Sequence, residues 1–152
     1  MATYANQKCT EMGATVVAMS DSNGYVVDEN GIDFRIIQQI KEQKRERIST
    51  YPNYVPTAKY VEGCAGIWSV PCDIAMPCAT QNEIDTDSAK LLVSNGCKAV
   101  FEGSNMPCTP EAIQAIKASG LLYSPLQGFQ RRRRGCLRSG DEPEQRAPVL
   151  DL

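Results

Sequence analysis

The chain has 152 residues, enough for one hydrophobic core and too few for two full domains. Sixteen basic and eighteen acidic side chains leave a net charge of −2, which gives no electrostatic reason to expect nucleic acid or an anionic membrane as partner. No apolar run approaches a membrane span, and the opening MATYANQKCTEMG lacks the basic-then-apolar layout of a signal peptide, so the expected location is the cytoplasm.

Ala2 to Met12 reads as a helix closed by Gly13, a residue suited to the left-handed position after a helix end. ATVVAMS, Ala14 to Ser20, is short, apolar and β-branched, a buried strand that stops at the polar turn Asp21-Ser22-Asn23-Gly24. After a second turn at Asp28 to Gly31, Asp33 is an N-cap for a helix running to about Ile48. Phe34, Ile37 and Ile40 recur along it at helical spacing, whereas Lys41 to Arg47 form a charged, solvated face.

Ser49 to Gly66, with Pro52 and Pro56, reads as a loop in which Tyr51, Tyr54 and Tyr60 pack; Trp68 after it belongs to the core. Cys72 to Met76 is another buried strand. Asp85 to Ser94 is a helix stopped at Asn95-Gly96, and CKAVFEG is the next strand. Pro110 opens a helix to Ser119, at a position where a first turn tolerates proline, and LLYSP is the last strand-like piece.

The order is therefore α-β-α-β-α-β-α-β, with strands that are apolar throughout rather than alternating. Strands buried on both faces and separated by helices predict an α/β fold with a parallel, doubly wound sheet. Ligands in such sheets sit at the carboxyl ends of the strands. Those ends are Ser20 to Asn23, Pro77 to Asn82, Glu102 to Pro107 and Ser124-Pro125, rich in small residues, hydroxyls and amides. Seven scattered cysteines without a CxxC pair, and no histidine, argue for free thiols rather than a zinc site, and the missing histidine excludes Ser-His and Cys-His nucleophiles.

SDSNGYVVDENGID, IWSVPCDIAMPCATQNEID and NGCKAVFEGSNMPCTPEA resemble the cofactor domain of hexameric NAD(P)-dependent glutamate dehydrogenases of the bacterial and fungal type, from Ala2 to Pro125. The resemblance implies a Rossmann-like domain over residues 1–125. It also implies the reversible oxidative deamination of L-glutamate to 2-oxoglutarate and ammonia, with a homo-hexamer as the intact assembly. It assigns Ser20, Asp21 and Ser22 to the adenosine ribose end of the cofactor, and Ala79, Thr80 and Gln81 to the approach to the ribose and nicotinamide. The same resemblance implies that Asn105 faces the nicotinamide ribose. The Ser-Asp-Ser form is similar to that of NADP-preferring members, and Lys44 and Arg47 fall where that group places basic residues. Asp21 alone suits NAD, because an acidic residue holds a 2′-hydroxyl. NADP is expected, with NAD as the alternative. Without the resemblance, Thr80, Gln81 and Asn82 read first as caps of the next helix.

The family's first strand and glycine-rich turn have no counterpart ahead of the opening helix, which implies that Met1 lies inside a longer reading frame. After LLYSP the family continues with a segment resembling GKASNAGGVAVSGLEM, where this chain has QGFQRRRRGCLRSGDEPEQ. A coding sequence for that stretch read one nucleotide later gives KASNAGGVAVSGLEMSQ, so residues 126–152 are expected to be a frame-shifted, disordered tail. The same shift accounts for Arg131 to Arg134, a run that would otherwise signal phosphate or nucleic-acid contact. The family's catalytic lysine and aspartate have no counterpart here, and the expectation is a chain inactive alone. The rival readings are a non-catalytic nucleotide-binding or interaction module that docks onto an intact paralogue, and a basic-tailed nucleic-acid binder.

Overall fold

The computed structural model describes residues 1–126. The expectations for Gln127 onward, including the arginine run, lie outside the described residues. The first helix, α1 (Ala2–Glu11), is followed by β1 (Ala18–Ser20) and β2 (Gly24–Val27). A helix α2 (Phe34–Gln38) continues as a π-helical turn, Gln39–Gln43, and a 3-10 helix spans Ile48–Asn53. Then come β3 (Lys59–Glu62), a second 3-10 helix at Cys64–Ser69 and β4 (Ile74–Ala75). The chain continues as α3 (Thr86–Ser94), β5 (Ala99–Phe101), α4 (Pro110–Ala118) and β6 (Leu122–Ser124).

The parallel arrangement expected for the whole chain holds for its second half. There β4, β5 and β6 pair in order, in parallel, through Ile74↔Ala99 and Ala99↔Leu122. The crossovers are α3 and α4, whose N-caps Asp85 and Thr109 accept from Ser88 N and Ala112 N. Asp85, not Thr80 to Asn82, therefore caps α3. Pro110 occupies the first turn of α4, as its missing N–H allows. Gly96, with φ +78°, provides the left-handed turn that brings the chain out of α3 and into β5.

The first half departs from the expectation. β1, β2 and β3 form an antiparallel sheet, with Ser20 opposite Tyr25 and Val26 opposite Tyr60. The Asp21–Gly24 turn does not merely end a strand; it closes a hairpin. Asp21 N donates to Gly24 O at 2.9 Å, and Asn23 N donates to the Asp21 side chain at 3.0 Å. An Asx turn of this kind reverses the chain within four residues. β3 falls inside the stretch read as loop, because the register sets exposed Lys59 and Glu62 at an edge and gives no buried apolar run to detect.

Two apolar clusters hold the halves. Met19, Val26, Ile32, Ile37, Ile40, Ile48, Tyr51 and Ala58 pack around the antiparallel sheet. Trp68, Ala75, Ile84, Leu92, Val100, Ala112 and Ile116 pack around the parallel one. Tyr51 and Trp68 are core residues, as their surroundings in sequence predict; the Tyr51 hydroxyl accepts from Asp33 N at 2.9 Å. The Cys64–Ser69 helix touches both halves: Trp68 sits in the second cluster, and a Cβ at Gly66 would meet the Tyr25 ring of β2 at 2.8 Å. Among the described residues, no helix is long and apolar enough to cross a membrane.

Candidate functional site

The carboxyl end of β1 carries the first group of polar residues. Asp21 is held on every side. Its Oδ1 accepts from Asn23 N, and its Oδ2 accepts from Lys41 Nζ at 2.6 Å and from Ile48 N at 3.0 Å. Burial works to raise its pKa, but the Ile48 N–H, the Lys41 ammonium and the Asn23 N–H outweigh it and bring the carboxyl to about 2. Helix α2 ends well short of Ile48 for the same reason. Arg45 takes φ +54°, and the chain turns back so that Ile48 N can reach the carboxylate.

Ser22 is exposed beside it, and Arg47 Nη1 donates to the Ser22 hydroxyl at 2.8 Å. The structure thus brings together two of the predicted residues, Ser22 and Arg47, next to Asp21. Lys44 points elsewhere: its Nζ donates to the Tyr54 hydroxyl and lies over the Tyr54 ring, 4.9 Å from the centroid. That bond to Tyr54 raises the Lys44 pKa. Lys41, read from sequence as part of a solvated face, is instead the partner of Asp21. Hydrophobic periodicity shows which face of a helix is buried, and carries no information on a turn twenty residues away.

The second group lies where β4 and β5 end. Gly103 N donates to Pro77 O at 2.9 Å, Asn82 N to Met106 O at 3.1 Å and Ile84 N to Pro107 O at 2.9 Å. These bonds stitch Pro77–Ile84 to Gly103–Pro107, so PCATQNE and EGSNMP form one surface. Asn82 and Met106 sit at φ +55° and +50°, left-handed geometry that L-residues adopt at a cost and that clusters at functional sites. Gly103 packs so closely on the Cys78 sulfur that a Cβ would overlap it. Ala79, Thr80, Gln81 and Asn105 are all exposed on this surface.

Glu83, which sequence reasoning missed, braces the loop from beneath. It accepts from Ala79 N at 3.1 Å and also from Thr80 N. Burial pushes its pKa up against the pull of these two amides. Its role follows from loop closure over four residues, a spacing with no periodic signature. Nearby, Tyr123 of β6 donates to Glu102 at 2.6 Å, and burial followed by this bond raises the tyrosine pKa. The Ser104 hydroxyl is buried without a partner among the described residues. No group of three His, Cys, Asp or Glu side chains among those residues could hold a metal ion. What the site offers is hydrogen-bonding loops at strand ends and one exposed serine–arginine pair.

Residues 1–127 match the Glutamate/Leucine/Phenylalanine/Valine dehydrogenase family. The NADP-specific glutamate dehydrogenase of Escherichia coli is 43% identical over 152 residues, covering 99% of this chain and 33% of that protein. A glutamate dehydrogenase of Bacteroides thetaiotaomicron is 48% identical over 128 residues, covering 82% of this chain and 28% of that protein. Among solved structures, Plasmodium falciparum glutamate dehydrogenase superposes with a TM-score of 0.77 at 44% identity, covering 82% of this chain and 27% of that one. The chain belongs to the Glutamate/Leucine/Phenylalanine/Valine dehydrogenase family, and it spans about 30% of the length of the curated relatives it matches.

Proposed function

We propose that residues 1–126 supply the nicotinamide-dinucleotide surface of an NADP-preferring glutamate dehydrogenase. The observation that carries this reading is the state of Asp21. An acidic residue free to accept from the ribose 2′-hydroxyl favours NAD. Here the carboxylate is already occupied by Lys41, Ile48 N and Asn23 N, while the Ser22 hydroxyl and the Arg47 guanidinium stand exposed beside it. A guanidinium and a hydroxyl are the donors that a 2′-phosphate needs.

Ser20, Asp21 and Ser22 form the adenosine-ribose end in this reading, with Arg47 as the direct phosphate donor and Lys44 as a second, outlying charge. Ala79, Thr80, Gln81 and Asn105 line the path of the nicotinamide ribose, held in place by Glu83 and by the stitched loops. The parallel strands β4 to β6 with their crossover helices are part of a Rossmann-type sheet. Glutamate as substrate follows from the relatives named above, and the assembly proposed for the intact enzyme is a cytoplasmic homo-hexamer. Residues 1–126 contribute binding and orientation rather than a proton-transfer group, and the chain alone turns nothing over.

Fluorescence titration of the chain with NADPH and with NADH tests this. Tighter binding of NADPH by on the order of tenfold is the expected result for one charge-assisted phosphate contact. Equal affinities, or preference for NADH, would reject the assignment of Ser22 and Arg47.

A further inference from the structure

Cys72 lies just ahead of β4, and Cys97 lies just ahead of β5, at the strand ends opposite the candidate site. The parallel register pairs Ile74 with Ala99 and Ala75 with Val100, and counting back two residues sets Cys72 beside Cys97. The backbone between them is pinned. Asp73 O accepts from Lys98 N at 2.8 Å, from Ala99 N at 3.1 Å and from the Cys97 thiol at 3.6 Å, and Lys98 Nζ meets the Asp73 carboxylate at 2.7 Å. Cys97 is buried in the core cluster around the parallel sheet. Cys72 packs against that cluster from the half-exposed side, and the Cys97 thiol also donates to Ala99 O at 3.3 Å. Paired strands lie about 4.8 Å apart, inside the Cα separation of roughly 4.4–6.8 Å that a disulfide bridges.

We propose that Cys72 and Cys97 are a disulfide-forming pair, a covalent modification site that fastens the amino end of β4 to that of β5. With a small-molecule disulfide as oxidant the reaction balances. The Cys72 thiolate, the more accessible of the two, attacks one sulfur of the oxidant, forming a mixed disulfide and expelling one thiolate. The Cys97 thiolate then attacks the Cys72 sulfur and expels the second. Two thiols of the protein lose two electrons and two protons, and both reappear in two small-molecule thiols.

The other cysteines of the described residues are placed differently. Cys9 faces the Met76 thioether at 3.7 Å, Cys78 is wedged against Gly103, Cys64 is exposed and Cys108 is buried in the core cluster around the parallel sheet. Burial, then the neighbouring Cys97, pushes the Cys72 thiol up to about 12. Thiolate is therefore scarce at neutral pH and the exchange is slow. The pair is a lock set by sustained oxidation, not a fast sensor. The link encloses α3 and the Pro77–Ile84 loop in one covalent ring.

The test is to incubate the full chain with oxidised glutathione for hours, trap remaining thiols by alkylation, and map linked peptides by mass spectrometry. The same treatment in denaturant is the reference. The expected result is an intramolecular Cys72–Cys97 peptide well above its share in the denatured reference, lost in both Cys72→Ser and Cys97→Ser. The native linked form should also melt about 5–10 °C higher. A Cys9–Cys78 link in its place, a stalled glutathione adduct on Cys72, free thiols at both positions, or a pairing pattern equal to that in denaturant would each overturn the proposal.

Discussion

Arg47 reaches across the β1–β2 turn to donate to the Ser22 hydroxyl at 2.8 Å. The two residues are twenty-five positions apart, and the exposed side of the pair carries one positive charge and one hydroxyl. Replacing both, Arg47→Ala with Ser22→Ala, should weaken NADPH binding by about 1.5–3 kcal/mol and leave NADH within a factor of two or so. Lys44→Ala should have the smaller effect on NADPH, because its ammonium is engaged with Tyr54. Isothermal titration of the two variants with both cofactors measures this, and equal losses for NADPH and NADH would remove the phosphate from the account.

Asp21 should make the fold acid-sensitive in a defined window. Its folded pKa lies below the unfolded value, so its stabilising contribution is complete above the unfolded pKa and disappears as pH falls through the folded one. The fall from 3.8 to about 2 corresponds to about 2 kcal/mol, lost between roughly pH 4 and pH 2. Asp21→Asn should lower stability at neutral pH by a similar amount and flatten the acid limb. Urea unfolding midpoints across that range are the measurement, and an unchanged acid limb in the variant would assign the sensitivity to other carboxylates.

Glu83 should fix the conformation of the loop above it. Glu83→Ala leaves the Ala79 and Thr80 amides without their acceptor, and both should exchange with solvent about tenfold faster, the effect of losing a charge-assisted bond. Glu83→Gln keeps an acceptor oxygen and should retain most of the protection. Amide exchange followed by NMR separates the variants, and identical exchange in all three proteins would show that the loop holds itself.

Gly103 and Cys78 should be energetically coupled. A methyl at position 103 overlaps the Cys78 sulfur, and overpacking of this kind costs about 1–3 kcal/mol. Cys78→Ala opens space at the same point, so the double variant Gly103→Ala/Cys78→Ala should be more stable than the sum of the single effects by on the order of 1 kcal/mol. Thermal melts of the four proteins complete the cycle, and strict additivity would mean that the collision is relieved by backbone movement.

Local signals in the sequence were enough for the second half of the chain. The helices expected to open at Asp85 and Pro110 both form, and the structure adds their caps, Asp85 and Thr109. The loops after β4 and β5 stood out by composition, and they lie side by side. The first half was harder because its organisation is non-local. The β1–β2 hairpin depends on an Asx turn that also looks like a strand stop, and β3 has an edge pattern with little apolar content. Likewise, Ser22, Asp21 and Arg47 could be placed at a cofactor end only through the family resemblance. Nothing in the spacing showed that Lys41 and Ile48 N would occupy the Asp21 carboxylate, because that depends on where α2 breaks at Arg45.

The six-residue helix Cys64–Ser69 touches both apolar clusters, with Trp68 set in one and Gly66 pressed on Tyr25 beside the other. Each cluster has its own sheet, and each should therefore open as its own cooperative unit. The connector then governs whether the units melt together or in succession. Widening the Gly66–Tyr25 contact would uncouple them, giving a partly opened species in which one sheet keeps its amide protection and the other exchanges freely.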